Sequence, residues 1–299
     1  MQLQNLRFFV AVAETRHFGA AAAKCGVSQP TLSAGLRALE RELGKRLVER
    51  DRRFGGLTEH GLAILPWAEQ VLGTVRGLRQ AAEASAVAVL GEFRLAAIPA
   101  ALPLVGRFGT ALLRQNPGLT LAVQSSTSRE IERGLATNAI DAGITYLDHE
   151  VIANTLAIRM HDEQYMVAVR KDGPFGGRES MSWAEVARQR LCILHQGMQF
   201  RRILDGQFAE RGLSLRTVAV ADSYVSLLAL VRSGDFVSVL PSLYARMMGG
   251  VEWCAFLPFD DPAPTRRVGL VLINRDPLGP LAAAALRVAQ EIEQGVGDA

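Results

Sequence analysis

The chain has 299 residues, with 33 Lys and Arg against 30 Asp and Glu, and almost half of its side chains are hydrophobic. That length suits two or three compact units at about 150 residues each, and no apolar run approaches the roughly 20 residues of a membrane-spanning helix. Three scattered cysteines (Cys25, Cys192 and Cys254) argue against a disulfide framework or a metal site, and the amphipathic start is unlike an export signal, so a cytoplasmic protein with no membrane contact, metal or cofactor is expected.

The first elements read as helices. "LRFFVAVAETRHF" places Leu6, Phe9, Val10 and Ala13 at helical spacing, and "GAAAAKCG" (19–26) is a short alanine-rich helix. Gly26 suits a left-handed helix end. Ser28 is a good N-cap, and Pro30 fits a first helical turn, where its missing N–H costs nothing. Leu32, Leu36, Leu39 and Leu43 then form one apolar stripe, with Pro30, Ser33 and Arg37 on the opposite side beside Ala34 and Ala38. Helix, tight turn and second helix with a small, lightly polar face match a helix-turn-helix, whose second helix enters the DNA major groove. An ordinary helical hairpin has the same pattern. Next, "GKRLVERDRRFGGLTEHG" (44–61) sets Lys45, Arg46, Arg50, Arg52 and Arg53 around a Phe-Gly-Gly turn, suitable for a wing on the phosphate backbone. Residues 1–58 carry ten cationic and five acidic side chains, a net +5, which leaves −2 for the other 241 residues. The positive charge is localised where phosphate neutralisation needs it.

Thr58 is placed to cap a further helix, in which Leu65, Ala68, Leu72 and Val75 form a coiled-coil-like seam that is equally compatible with a core-facing stripe. Pro66 is expected to kink or loosen that helix near its start. "EASAVAVLGE" then reads as a hinge. From residue 93 strands and helices alternate: strands at "FRLAAI", "LTLAVQ" (119–124), "DAGITY" (141–146), "YMVAVR" (165–170), "LCILH" (191–195), "RTVAVA" (216–221), "FVSVL" (236–240) and "RRVGLVLI" (266–273). Helices lie between them, and a final one spans 278–293. Such alternation predicts parallel α/β sheets with a ligand at the strand C-termini. The expected division is a reader over 1–58, a linker helix and hinge over 59–90, and a third unit over 91–299. That unit splits into lobe I (91–160 plus 268–299) and lobe II (161–267).

With "AAAAKCGVSQPTLSAGLRALERELGKRLVER", "LTEHG", "AIDAGITY" and "SLLALVRSGDFVSVLP", the chain resembles LysR-type transcriptional regulators along its whole length. The resemblance implies an α/β protein with an N-terminal all-α winged helix-turn-helix and a two-lobed, periplasmic-binding-protein-like effector domain. It implies promoter double-stranded DNA and a small-molecule effector as partners, and a homo-oligomer, usually a tetramer. By the same resemblance Gln29, Pro30, Thr31, Ser33 and Arg37 face the groove after the Ser28 cap, with Arg50, Arg52 and Arg53 near phosphates. Where many relatives carry bulky polar residues this chain has Ala34 and Gly35, so few base contacts and a larger role for DNA shape are expected.

"AAIPAALP" (96–103) is similar to the first effector-pocket segment of the family's peroxide-sensing branch, which assigns Pro99, Ala100 and Ala101 to the pocket, with Ala100 replacing a hydroxyl residue. Thr127 and Ser128 follow at a helix N-terminus, where they either meet an anion or cap the helix. His195, Gln199, Arg201 and Ser223 complete the expected cleft, and Thr127, Ser128, Gln199 and Arg201 favour a small carboxylate or other anion. Gln199 and Phe208 stand where that branch has paired cysteines, so a thiol switch is rejected. An enzyme is disfavoured because His195, Asp222 and Ser223 lack a nucleophile elbow. A plain solute-binding protein is disfavoured by the reader.

Overall fold

The computed structural model describes residues 1–50, 54–83 and 89–296, in two compact units: Met1–Ala86 with Arg133–Ala139, and Val87–Glu132 with Ile140–Ala299. In the first, α1 (Leu3–Thr15), α2 (Phe18–Cys25) and α3 (Gln29–Leu43) pack around Leu6, Phe9, Val12, Ala21, Leu32, Leu36 and Leu39. Gly26 ends α2 at φ 68°, a conformation that costs a side-chain-bearing residue dearly. The Ser28 hydroxyl then accepts from Thr31 N–H at 3.3 Å, so cap, turn and helix start follow one another within five residues.

Gly35 has a different role from the one expected. A Cβ there would sit 2.5 Å from Phe8 Cδ2 and 2.7 Å from Asn5 Oδ1, so the residue lets α3 press against α1 and does not belong to the outward face. Strands β1 (Val48–Arg50) and β2 (Phe54–Leu57) pair antiparallel as the wing.

The linker helix α4 (Glu59–Glu83) is continuous through Pro66. Thr58 caps it by accepting from Gly61 N–H at 3.0 Å. The predicted Leu65–Ala68–Leu72–Val75 seam needs correcting as a pairing surface. Leu65 and Ala68 are buried in the reader core, and Leu72 packs against it. Residues 64, 67, 71, 74 and 78 follow the same three-and-four spacing about 100° round the helix, and there Trp67 is 69% and Leu78 70% exposed. Sequence spacing alone could not tell which stripe the protein keeps for itself.

The second unit holds a five-stranded sheet in the order β4-β3-β5-β12-β6, from β3 (Gly91–Ala97), β4 (Leu119–Ser125), β5 (Ala142–Tyr146), β6 (Thr155–Glu163) and β12 (Arg266–Ile273). Helices α5 (Leu102–Gln115) and α11 (Pro280–Val296) accompany it, as does the start of α6 (Ser128–Ala136), whose end from Arg133 belongs to the first unit. After Gln164 the chain enters lobe II. There β7 (Tyr165–Arg170) pairs antiparallel with β10 (Ser238–Pro241) and β11 (Cys254–Pro258), while β8 (Leu191–Leu194) and β9 (Thr217–Ala221) pair in parallel. Helices α7 (Trp183–Arg188), α8 (Gln199–Glu210), α9 (Tyr224–Ser233) and α10 (Ser242–Met247) complete it.

The wholly parallel arrangement predicted from alternation is thus incorrect. β3 is parallel to β4 and β5, but β12 runs antiparallel to both β5 and β6. The chain leaves lobe I along β6 and returns along β12, which pairs antiparallel with it, so this pair needs no crossover helix. Strands β6 and β11 carry no alternation signal in the sequence, because neither is framed by helices on both sides. Among the described residues no helix is long and apolar enough to cross a membrane.

Candidate nucleic-acid interface and ligand cleft

On α3 the buried and exposed faces separate cleanly. Leu32, Leu36 and Leu39 have no exposed surface, while Ser28, Gln29, Pro30, Thr31, Ala34 and Arg37 are exposed and Ser33 is half-buried. Three leucines locked in the core fix the rotation of the helix, so its outward residues present a rigid face. That face carries hydrogen-bonding side chains of short reach at its N-terminal end and one guanidinium a turn and a half further on. This arrangement suits base edges in a major groove. The wing strand ends at Arg50, and Arg52 and Arg53 lie outside the described residues. Lys45 and Arg46 are exposed at the turn into the wing.

The lobes of the second unit meet along a cleft in which polar side chains are joined across the gap. Arg202, from α8, donates to both carboxylate oxygens of Glu150, at 2.8 and 2.6 Å. Glu150 also accepts from the Ser128 hydroxyl at 2.9 Å. These donors, the guanidinium foremost, hold the Glu150 carboxyl below its ordinary range despite burial. Gln199 is buried; it accepts from Thr145 Oγ1 at 3.1 Å and donates to the His149 carbonyl at 2.6 Å. From α10 the Tyr244 hydroxyl donates to the Pro99 carbonyl at 2.7 Å. That contact seats the buried Pro99–Ala101 turn against lobe II.

Other expected cleft residues are occupied locally. Thr127 forms a reciprocal cap with Glu130, accepting its N–H while the Glu130 carboxylate accepts from Thr127 N–H and hydroxyl. Ser223 caps α9 by accepting from Val225 N–H. His195 Nδ1 accepts from Gly197 N–H at 3.0 Å. Arg201 donates to Asp205 at 2.7 Å and to the Leu194 carbonyl at 2.9 Å, so its charge is spent within lobe II. The sequence pattern points to Arg201, whereas the guanidinium that spans the cleft belongs to Arg202. The four-residue spacing of Arg201 and Asp205 on one helix was the available signal.

Two further groups were not legible in the sequence. Glu163, at the lobe crossing, is 1% exposed; its Oε1 accepts from Ser242 N–H, Ser242 Oγ–H and Gln164 N–H. Burial pushes its carboxyl up to about 7 against these hydrogen bonds. Among the described residues neither Glu163 Oε2 nor the buried Tyr224 hydroxyl has a hydrogen-bond partner. Burial above all pushes the Tyr146 and Tyr224 hydroxyls up, and the Glu163 charge adds to the shift.

Comparison with known proteins agrees with both halves. The profile "Bacterial regulatory helix-turn-helix protein, lysR family" matches residues 3–62, and "LysR substrate binding domain" matches residues 88–293. The chain is 31% identical over 279 residues to a hydrogen peroxide-inducible genes activator of Escherichia coli O157:H7, covering 93% of this chain and 91% of that one. Among solved structures it is similar to a full-length OxyR of Pseudomonas aeruginosa carrying a cysteine-to-aspartate substitution. That likeness has a TM-score of 0.75 and 30% identity, over 98% of this chain and 94% of the other. The fold also matches full-length CbnR complexed with its target DNA, with a TM-score of 0.72 and 23% identity over 98% and 100% of the two chains.

Proposed function

Because the chain belongs to the LysR family of bacterial transcriptional regulators, we propose that it reads promoter DNA with α3 and alters that reading when a small molecule occupies the cleft between its lobes. Like its relatives it is a transcriptional regulator with a helix-turn-helix and an effector-binding domain, and not an enzyme. Gln29, Pro30, Thr31 and Arg37 approach base edges after the Ser28 cap, Ser33 supports them from its half-buried position, and Arg50, Arg52 and Arg53 meet phosphates. The observation that carries this reading is the exposed polar face of α3 on a fully buried leucine stripe. Footprinting of the full-length protein on DNA selected from a random pool tests it. Two protected patches a whole number of helical turns apart are expected for paired readers, and no selected sequence above background contradicts it.

Pairing follows from α4. We infer that Trp67, Val71 and Leu78 meet their counterparts on a second copy, and that further contacts build the tetramer usual in the family. Joining two readers makes the second DNA contact intramolecular and raises avidity by about 10²–10⁴.

The polarity of the cleft bears on the effector, which we place near Pro99, Ala100, Ala101, Ser128, His195 and Gln199. Arg201 and Arg202 are both neutralised, by Asp205 and Glu150, so neither guanidinium is left for an anion. A neutral or cationic molecule fits better than the carboxylate or other anion the sequence favoured. The Escherichia coli relative is named for peroxide, but this chain has Gln199 and Phe208 at the positions assigned to reactive thiols. Burial pushes the Cys192 and Cys254 thiols up to about 11, far from the thiolate needed to attack a peroxide. Thermal-shift screening of the full chain with benzylammonium and benzoate, alike except for the charged group, separates the two effector classes.

A further inference from the structure

The turn joining α3 to the wing converges on one side chain. Glu40 lies one turn before the end of α3, half-buried. Its Oε1 accepts from Leu47 N–H at 3.0 Å and Val48 N–H at 3.4 Å, and its own carbonyl accepts from Lys45 N–H at 3.1 Å. Two backbone donors of the turn, from Leu47 and Val48, therefore end on the Glu40 carboxylate, while the Lys45 bond to the Glu40 carbonyl belongs to the C-terminal cap of α3. From the other side Thr58 closes the same segment, its N–H donating to the Leu47 carbonyl at 3.0 Å and its hydroxyl to the Arg46 carbonyl at 2.6 Å. A carboxylate receiving backbone N–H groups is a charge-assisted and directional tie.

The placement of an acid here needs a reason. Residues 1–58 carry a net charge of +5, and every carboxylate among them weakens attraction to phosphate. Phosphate contacts fix the register in which a reading helix meets base edges, so the angle between wing and helix decides whether both sets of contacts form together. We propose that Glu40 is a positioning residue for DNA binding: it makes no contact with nucleic acid, and it holds the turn into the wing so that the exposed Lys45 and Arg46 reach phosphates while α3 lies in the groove. This inference rests on the DNA-reading function stated above.

The test uses full-length parent, Glu40→Ala, Glu40→Gln and Glu40→Asp on DNA selected by the parent. Band shifts are measured across a salt titration, with thermal unfolding alongside. Glutamine keeps an acceptor at the same reach. Aspartate keeps the charge and withdraws it by one methylene. Glu40→Ala and Glu40→Asp are expected to bind at least about tenfold more weakly, with the dependence of log affinity on log salt flattened by the loss of one or two phosphate contacts, roughly 0.9 in slope for each. Glu40→Gln is expected to restore most of the affinity and slope. Should Glu40→Ala fail to fold, Glu40→Asp and Glu40→Gln decide the matter between them. Parent-like affinity and slope in Glu40→Asp, or a Glu40→Gln protein as defective as Glu40→Asp, overturns the proposal. Failure of the parent to select any DNA would instead overturn the reading on which the proposal rests.

Discussion

Replacing Glu163 with glutamine is expected to stabilise the protein above neutral pH and to have little effect near pH 4.5. The carboxyl is 1% exposed and pushed up to about 7, against roughly 4.3 in an unfolded chain. Between those two values the native state holds a proton that the unfolded state has released. Stability therefore falls as pH rises through this window, and the loss is complete above about 7. At ~1.4 kcal/mol per unit, a difference of about 2.7 units corresponds to ~4 kcal/mol. Glutamine pays none of this, and its Oε1 can still accept from Ser242 and Gln164. His161, whose Nε2 lies 3.9 Å from Glu163 Oε2, is shifted the other way, to about 4, by burial and then by Arg246. Its charging destabilises both proteins as pH falls below about 6.5, so the comparison is cleanest from pH 6 upward. Urea unfolding at pH 6, 7 and 8 measures the gap, with Trp183 as a fluorescence reporter because it is buried and stacked on Phe259 at 3.8 Å. The gap should widen towards pH 7 and then level off. A gap that is the same at all three pH values would refute the argument.

Gly35→Ala drives a methyl group into Phe8 and Asn5; overpacking of this kind costs about 1–3 kcal/mol, so a lowered unfolding midpoint and weaker DNA binding are expected together. Trp67→Asp should separate the paired readers and cut DNA affinity far more than Trp67→Phe, as sedimentation and band shifts would show. Leu72→Asp should instead destabilise the reader itself, because Leu72 packs against its core. Replacing Cys25, Cys192 and Cys254 together with alanine should leave the response to effector unchanged in a reporter assay, whereas a thiol sensor would lose it.

How much of this was legible in the sequence depended on whether the signal was local. Gly26, Ser28 and Pro30 act on their own backbone within one turn, and the leucines of α3 repeat at helical spacing, so reader and cap could be read directly. The strands β5, β7 and β12 were legible because each is a short apolar run. What escaped was pairing across long distances. The spacing of α4 contains two apolar stripes, and only packing against α1 decides which is internal. The Ser128–Glu150–Arg202 link joins three segments with no shared pattern, and Glu163 is one acid in "MHDEQY" until the lobe crossing buries it. Hydroxyls at helix starts suit anions, which made Thr127 and Ser223 read as cleft residues, yet capping occupies both.

The central claim is that the outward face of α3 reads DNA, and Arg37 tests it most directly. Its side chain is exposed, and among the described residues it forms no ion pair. Removing it should therefore leave the fold intact. The measurement is the affinity of full-length parent and Arg37→Ala for the selected operator at one matched salt concentration, with a non-specific duplex of equal length as reference. A good base contact is worth about 1–3 kcal/mol, so the account predicts a loss of roughly tenfold to a hundredfold on the operator and a much smaller loss on the reference. Operator affinity in Arg37→Ala equal to the parent's would contradict it.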